Sequence, residues 1–271
     1  MRRMYMIACL LALLVLVGGV MLFAGRASQE PQIPILLYHH ILPNEVNRAH
    51  QENPFTVSTE AFEAQMQYLY DNDFHTLTLS ELEAFLYEGA PLPENSVMIH
   101  FDDGYYSNFV YAYPILQRFG HRAVVFMITG QIEALGDDQP PMDHDCLTWT
   151  AAHSLLGKED VFELASHTHD LHTLVPGSGE TRLVHATRDE IVADVRHSFA
   201  FLTNHSAFAY PRGQVSDAAI AALQEAGITL AFTTVEGMVT RDSDPFLLGR
   251  FKVWRTMTLE RFGEIIRGIG I

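Results

Sequence analysis

Apolar and polar positions along this chain switch repeatedly between two periods. Short apolar runs rich in β-branched and aromatic residues lie at 35–40, 74–79, 97–99, 123–128, 162–166, 207–210, 230–235 and 251–254, and each reads as a core strand. Between them, apolar residues recur every three or four positions. Phe62, Met66, Leu69 and Tyr70 follow a hydroxyl cap and first-turn acids in Thr56–Glu63, which is helix-start chemistry. Further helices are predicted from Ser80, through Tyr113–Phe119, near 148–157, over Glu190–Leu202, from Ser216 to a glycine stop at Gly227, and over Leu259–Ile266. Residues 130–147 and 173–187 carry proline, glycine and polar clusters and read as loops.

Strands that alternate with helices predict a parallel sheet covered by helices. Seven or eight such units fit an α/β fold, an irregular (β/α) barrel or near-barrel. In that architecture the chemistry collects at the C-terminal ends of the strands. Four polar clusters fall there: His39-His40, Asp102-Asp103, His167 to His172, and Tyr210-Pro211-Arg212-Gly213. No internal repeat, phosphate-binding glycine loop or nucleophile-elbow serine is present.

Charge narrows the partners. The formal net charge is −16, and the chain from Glu30 onward holds 14 basic and 33 acidic residues. So acidic a body is wrong for nucleic acid, which needs a basic footprint. The start of the chain is different in kind. Met4 to Gly25 is an uncharged apolar stretch of 22 residues behind Arg2 and Arg3. As a helix it would run about 33 Å, enough to cross a bilayer, with the N-terminus cytoplasmic. The alternative is a leader cleaved at Gly25-Arg26-Ala27. Either way the body is expected outside the cytoplasm, membrane-anchored or secreted. The expected layout is 1–27 signal anchor or signal peptide, 28–34 linker and 35–271 catalytic domain. Cys9 and Cys146 allow neither a disulfide within the body nor a cysteine metal site.

Histidine is the unusual residue. There are 14, all between positions 39 and 205. Histidine and aspartate suit zinc or a similar divalent ion, and three such ligands leave an open position for water. Neighbouring side chains on extended backbone point opposite ways, so Asp102 and Asp103 are expected to do different jobs. His167 and His172 lie about 140° apart on a helix and on opposite faces of a strand, so they meet one ion only if the segment curves as a loop. His169 and His172 could instead share a helical face, and spacing alone does not choose between the pairs. His39 and His40 are expected to shape the site, His169 to face solvent or a neighbour, and His100 to be a satisfied buried histidine. His121, His144, His153, His185, His197 and His205 are expected at the surface, with Trp149 and Trp254 in the core or at the barrel rim.

His100-Phe101-Asp102-Asp103-Gly104 resembles the Asp-Asp motif of the polysaccharide deacetylase family (NodB-like, carbohydrate esterase family 4). Ser166-His167-Thr168-His169-Asp170-Leu171-His172 resembles its histidine metal motif, with the five-residue gap of the branch acting on poly-N-acetylglucosamine. Phe208-Ala209-Tyr210-Pro211-Arg212-Gly213 is similar to its third motif, and Leu36–His40 and Leu247–Val253 also resemble that branch. The resemblance covers roughly 33–267. It implies a metal-dependent hydrolase that removes N-acetyl groups from an N-acetylated glycan, in a barrel of about seven strands. Asp103, His167 and His172 would ligate the metal, zinc by preference, and Asp102 would be the general base. The Arg212 backbone N–H would hold the oxyanion. The family commonly has arginine where Ala209 stands, and Arg250 is then the residue implied to orient the base. A late catalytic histidine of the family has no counterpart, because none follows His205. An O-acetyl glycan esterase and a catalytically impaired glycan-binding relative are the alternative readings.

Overall fold

The structure, a computed structural model, describes residues 30–47, 53–136, 150, 155 and 157–270. The apolar stretch 4–25, most of the 130–147 and 148–157 segments, Cys9, Cys146, His144, His153 and Trp149 lie outside the described residues. Among the described residues no helix is long and apolar enough to cross a membrane. The chain divides into Met1–Pro31 and Gln32–Ile271, and the second unit holds every element below.

Among the described residues ten strands form: β1 Ile35–Tyr38, β2 His40–Leu42, β3 Thr56–Ser58, β4 His75–Thr76, β5 Ser96–Phe101, β6 Ala123–Met127, β7 Phe162–Ser166, β8 Ala207–Ala209, β9 Leu230–Phe232 and β10 Phe251–Lys252. The main sheet runs β10-β1-β5-β6-β7-β8-β9, with β4 beside β5, and a separate pair joins β2 and β3. Every one of these strand pairings is parallel. Phe251 and Lys252 pair with Leu36 and Leu37 on β1, while Leu248 just upstream bridges Phe232 on β9. The segment from Leu248 to Lys252 thus touches both edges of the sheet and draws them together. It passes tightly, because a Cβ on Gly249 would stand 2.9 Å from the Val235 carbonyl and 3.0 Å from that of Gly237.

The continuous apolar runs follow from burial on both faces. On β5, Met98 joins an inner cluster with Ile35, Val124, Phe126, Ala165, Ala207, Ala209, Leu230, Phe232 and Leu248. Val97, Ile99 and Phe101 face the other way, against the covering helices. Helix α1 (Asn44–Asn47) is a single turn, and α2 (Thr59–Asp71) presents Phe62, Met66 and Leu69 to that face, while Leu82 and Phe85 of α3 (Leu79–Glu88) pack in the cluster of Met98 instead. Tyr70 departs from the expected stripe and is exposed. Caps set the helix starts: Ser58 accepts from the Ala61 N–H, and Thr78 forms a reciprocal capping box with Glu81, so α3 starts at Leu79.

The remaining helices are α4 (Tyr113–Phe119), α5 (Thr129–Leu135), α6 (Arg182–His185), α7 (Arg188–Ser198), α8 (Asp217–Ala226) and α9 (Leu259–Ile266). Two expected loops are therefore partly helical. The described part of 130–147 is mostly α5, where Ile132 packs inward, and α6 sits within 173–187. The predicted helix over 190–202 starts two residues earlier, on a Thr187–Glu190 capping box, and tightens to a 3-10 turn at Phe199–Phe201.

Candidate active site

Inward positions at the C-terminal ends of β1, β5 and β7 carry His39, Asp102 and His167. The Asp103 backbone takes a left-handed φ of 73°, which turns its carboxylate towards the β7 loop. That loop curves at Thr168, with φ 76°. Left-handed backbone is costly for a β-branched residue and marks a place where the surroundings impose the shape. The curve resolves the ambiguity of the histidine spacing. His172 Nε2 stands 3.3 Å from Asp103 Oδ1 and His167 Nε2 stands 3.5 Å from the same oxygen. His169 points elsewhere, to Thr129 and Glu133. Asp103, His167 and His172 therefore converge with one donor atom each.

The donor set fits a divalent ion. Bonds of 2.0–2.1 Å to a tetrahedral zinc put neighbouring ligand atoms about 3.4 Å apart, close to both distances above. His167 Nδ1 lies 2.7 Å from the Ala209 carbonyl, which cannot donate. Nδ1 thereby donates to that carbonyl, and Nε2 is the nitrogen turned towards Asp103, the one a metal would take in exchange for its proton.

Asp102 lies alongside in a different environment. Arg250 donates from both terminal nitrogens to its two oxygens, at 2.7 and 2.8 Å, and from Nε to the Thr233 carbonyl at 2.8 Å. Both partners are buried, Arg250 completely. The pairing reaches across 148 residues of sequence. Arg250 thus stands directly against Asp102, while Ala209 brings its carbonyl to His167.

The charges are set by these contacts. Burial opposes ionisation of Asp102, but the Arg250 guanidinium and His167 outweigh it and hold the carboxyl below its usual range. Burial opposes it at Asp103 too, where hydrogen bonds from His167 and His172 hold the carboxyl well below the usual range. Burial works against a charge on His167, yet the two aspartates raise its pKa above the ordinary imidazole value. The pocket is thus tuned to favour a cation next to Asp103.

Arg212 lies in the 3-10 turn Pro211–Gly213 with a left-handed φ of 56° and an exposed side chain. His39 sits at the rim with its ring 4.6 Å from that of Phe55, and Phe55 in turn meets Trp254 at 5.0 Å. His40 is buried, stacked 3.7 Å from Tyr105 and 3.5 Å from the Ser107 hydroxyl. Two other histidines differ from expectation. His100 is buried as foreseen, but neither ring nitrogen has a partner; it packs edge-on against Phe126 and Phe232. His121 is buried and bonded to the Met66 carbonyl rather than exposed. His169 takes the second of its two expected settings, facing neighbours: it is buried and stacked on the half-exposed ring of His197.

A parallel barrel-like sheet with this cluster at its C-terminal rim matches known proteins. The chain belongs to the polysaccharide deacetylase family, whose model matches residues 89–231. A poly-beta-1,6-N-acetyl-D-glucosamine N-deacetylase of Staphylococcus aureus is 29% identical over 204 residues, 73% of this chain and 68% of that protein. Among solved structures, the Streptococcus pyogenes deacetylase PplD in complex with acetate superposes with a TM-score of 0.74 at 22% identity, covering 88% of this chain and 99% of that one. IcaB from Ammonifex degensii gives 0.70 at 23% identity, covering 88% and 97%. At such identities the structural likeness speaks for the fold.

Proposed function

We propose that the chain is a metal-dependent hydrolase that removes N-acetyl groups from an N-acetylated polysaccharide. The observation that carries this reading is the convergence of Asp103, His167 and His172 beside an Asp102 clamped by Arg250. Similarity to a poly-beta-1,6-N-acetyl-D-glucosamine N-deacetylase supports this substrate class. Asp103 Oδ1, His167 Nε2 and His172 Nε2 hold a divalent ion, zinc by donor chemistry. Such an ion, when bound, supplies a Lewis acid and brings the pKa of water from 15.7 to about 7.

Asp102, whose Oδ2 lies 3.9 Å from His167 Nε2, takes the proton as water adds to the acetyl carbonyl. Arg250 fixes the carboxylate plane and keeps Asp102 ionised. The same pairing weakens it as a base while holding it ready to accept a proton. The Arg212 backbone N–H donates to the oxyanion; losing one such donor costs roughly 3–4 kcal/mol. With no histidine after His205, protonated Asp102 returns its proton to the leaving amine, and acetate departs. The 4–25 stretch behind Arg2 and Arg3 acts as a signal anchor or a cleaved leader. It places the 35–271 catalytic body, after the 28–34 linker, outside the cytoplasm.

Metal content and acetate release from N-acetylglucosamine oligomers, measured on one preparation with chelator and metal add-back, test the reading. Bound metal with chelator-sensitive release is the expected result. Asp102→Asn should keep the metal and lose turnover by about 10²–10⁴-fold, the range of a positioned general base. Parental activity in that variant would refute the base assignment.

A further inference from the structure

A second set of metal-type donors converges on the far side of the same loop segment. Glu133 on α5, His169 on the β7 loop and His197 on α7 each bring one ligand atom within 4.8 Å of the other two. His169 Nε2 lies 3.2 Å from Glu133 Oε2, and His197 Nε2 lies 3.7 Å from Glu133 Oε1. We propose that Glu133, His169 and His197 bind a second divalent transition-metal ion of the zinc class. This site is separate from the Asp103, His167 and His172 cluster and does not depend on the deacetylase reading.

Three features carry the proposal. His169 is fixed in advance: it is buried, and its Nδ1 lies 3.0 Å from the Thr129 hydroxyl. With Nδ1–H donating to Thr129, the Nε2 lone pair points to Glu133, the outer-shell arrangement that orients ligating histidines. The loop beneath it is also fixed. Asp194 accepts the backbone N–H groups of His169 and Asp170, both at 2.7 Å. Asp194 stands three residues before His197 and so on the same face of α7. On the other side the Gly130 N–H donates to the His169 carbonyl at 3.1 Å, and a Cβ on Gly130 would strike that carbonyl.

The other two donors can adjust. Glu133 and His197 are both about half exposed, so they can move to the edge of about 3.4 Å that tetrahedral zinc demands. The rings of His169 and His197 already stack at 3.9 Å and 13°. Two imidazoles and one carboxylate form a donor set that zinc uses, with the fourth position left to water. The rival account is a metal-free triad in which Glu133 accepts an N–H from each ring. It predicts no ion.

Metal stoichiometry of the purified full chain separates the two accounts. Zinc is counted by elemental analysis after equilibration and gel filtration, and cobalt is followed through its visible ligand-field bands. His197→Phe removes a ligand while keeping a ring to stack on His169, and Glu133→Gln serves as the second variant. The parent is expected to hold two ions, His197→Phe and Glu133→Gln one each, His172→Gln one, and the His172→Gln, His197→Phe double variant none. A parent with one ion that is lost in His172→Gln and kept in His197→Phe overturns the proposal and leaves the active-site reading standing. A single ion lost in His197→Phe and kept in His172→Gln does the reverse. A parent with no ion sinks both.

Discussion

Arg250 and Asp102 are each untenable in the interior without the other. Removing one member of a buried ion pair leaves an uncompensated charge and typically costs 3–5 kcal/mol. Arg250→Met should therefore lower unfolding stability by about that amount in urea titrations, and depress acetate release as well. An unchanged urea midpoint would show that the pair does not hold the site together. His100, beneath the pair, makes a separate prediction. Burial, with Arg250 adding to it, pushes its pKa well below the imidazole norm. The unfolded chain takes up that proton near pH 6.5, so the stability tied to His100 is present above that value and lost as pH falls through it. The slope is at most about 1.4 kcal/mol per pH unit for one proton. Urea unfolding of His100→Phe between pH 7 and 5 should show a shallower loss than the parent; parallel curves would contradict this. These residue-scale features differ in how readable they were. Asp102 and Asp103 are adjacent, and strand alternation foretells different jobs for them; that both still reach His167 Nε2, at 3.9 and 3.5 Å, depends on the left-handed backbone at Asp103, which alternation does not foretell. The partnerless state of His100 depends on Phe126 and Phe232, which no local pattern links to it.

At the scale of elements, the β7 loop organises the site and α7 grips it. Asp194 ties two amides of that loop, so Asp194→Ala should free the segment between His167 and His172. Chelator competition is expected to show metal affinity at the Asp103 cluster reduced by about 10–100-fold, as for other outer-shell losses. Hydrogen exchange at the His169 and Asp170 amides should accelerate in the same variant, and unaltered exchange would mean that the carboxylate is not what holds them. The strand–helix order was legible because parallel strands buried on both faces are continuous apolar runs, and the starts of α3 and α7 were nearly legible because hydroxyl caps announce them. The helix α5 was not. Its sequence runs into Pro140 and Pro141, and that polar stretch outweighed the inward spacing of Thr129 and Ile132. The turn at Thr168 was foreseen only as a necessity, since nothing in a threonine predicts left-handed backbone. The partners of His169 were unreadable for a plainer reason: Thr129, Glu133, Asp194 and His197 lie dozens of residues away or on other elements.

For the whole molecule, charge is the property with the clearest consequence. The body carries an excess of 19 acidic residues over basic ones from Glu30 onward. Deacetylation turns neutral sugars into ammonium-bearing ones, so a partly processed polymer should be drawn to this surface. KM for partly deacetylated oligomers is expected to rise as ionic strength goes from about 0.05 to 0.5 M, where the screening length shrinks to a few ångströms. KM for fully acetylated oligomers should barely move, and equal salt dependence of the two would remove charge from the account of substrate preference.

The seam between Leu248 and Lys252 has a temporal meaning too. Chains are made from the N-terminus, and domains tend to fold in that order. Asp103, His167 and His172 are all synthesised well before Arg250, so a growing chain holds the proposed ligand set while its Asp102 still lacks a clamp. Only when the seam docks between β9 and β1 does Asp102 acquire its partner. The site is in this sense completed late, by a residue made after all its other members.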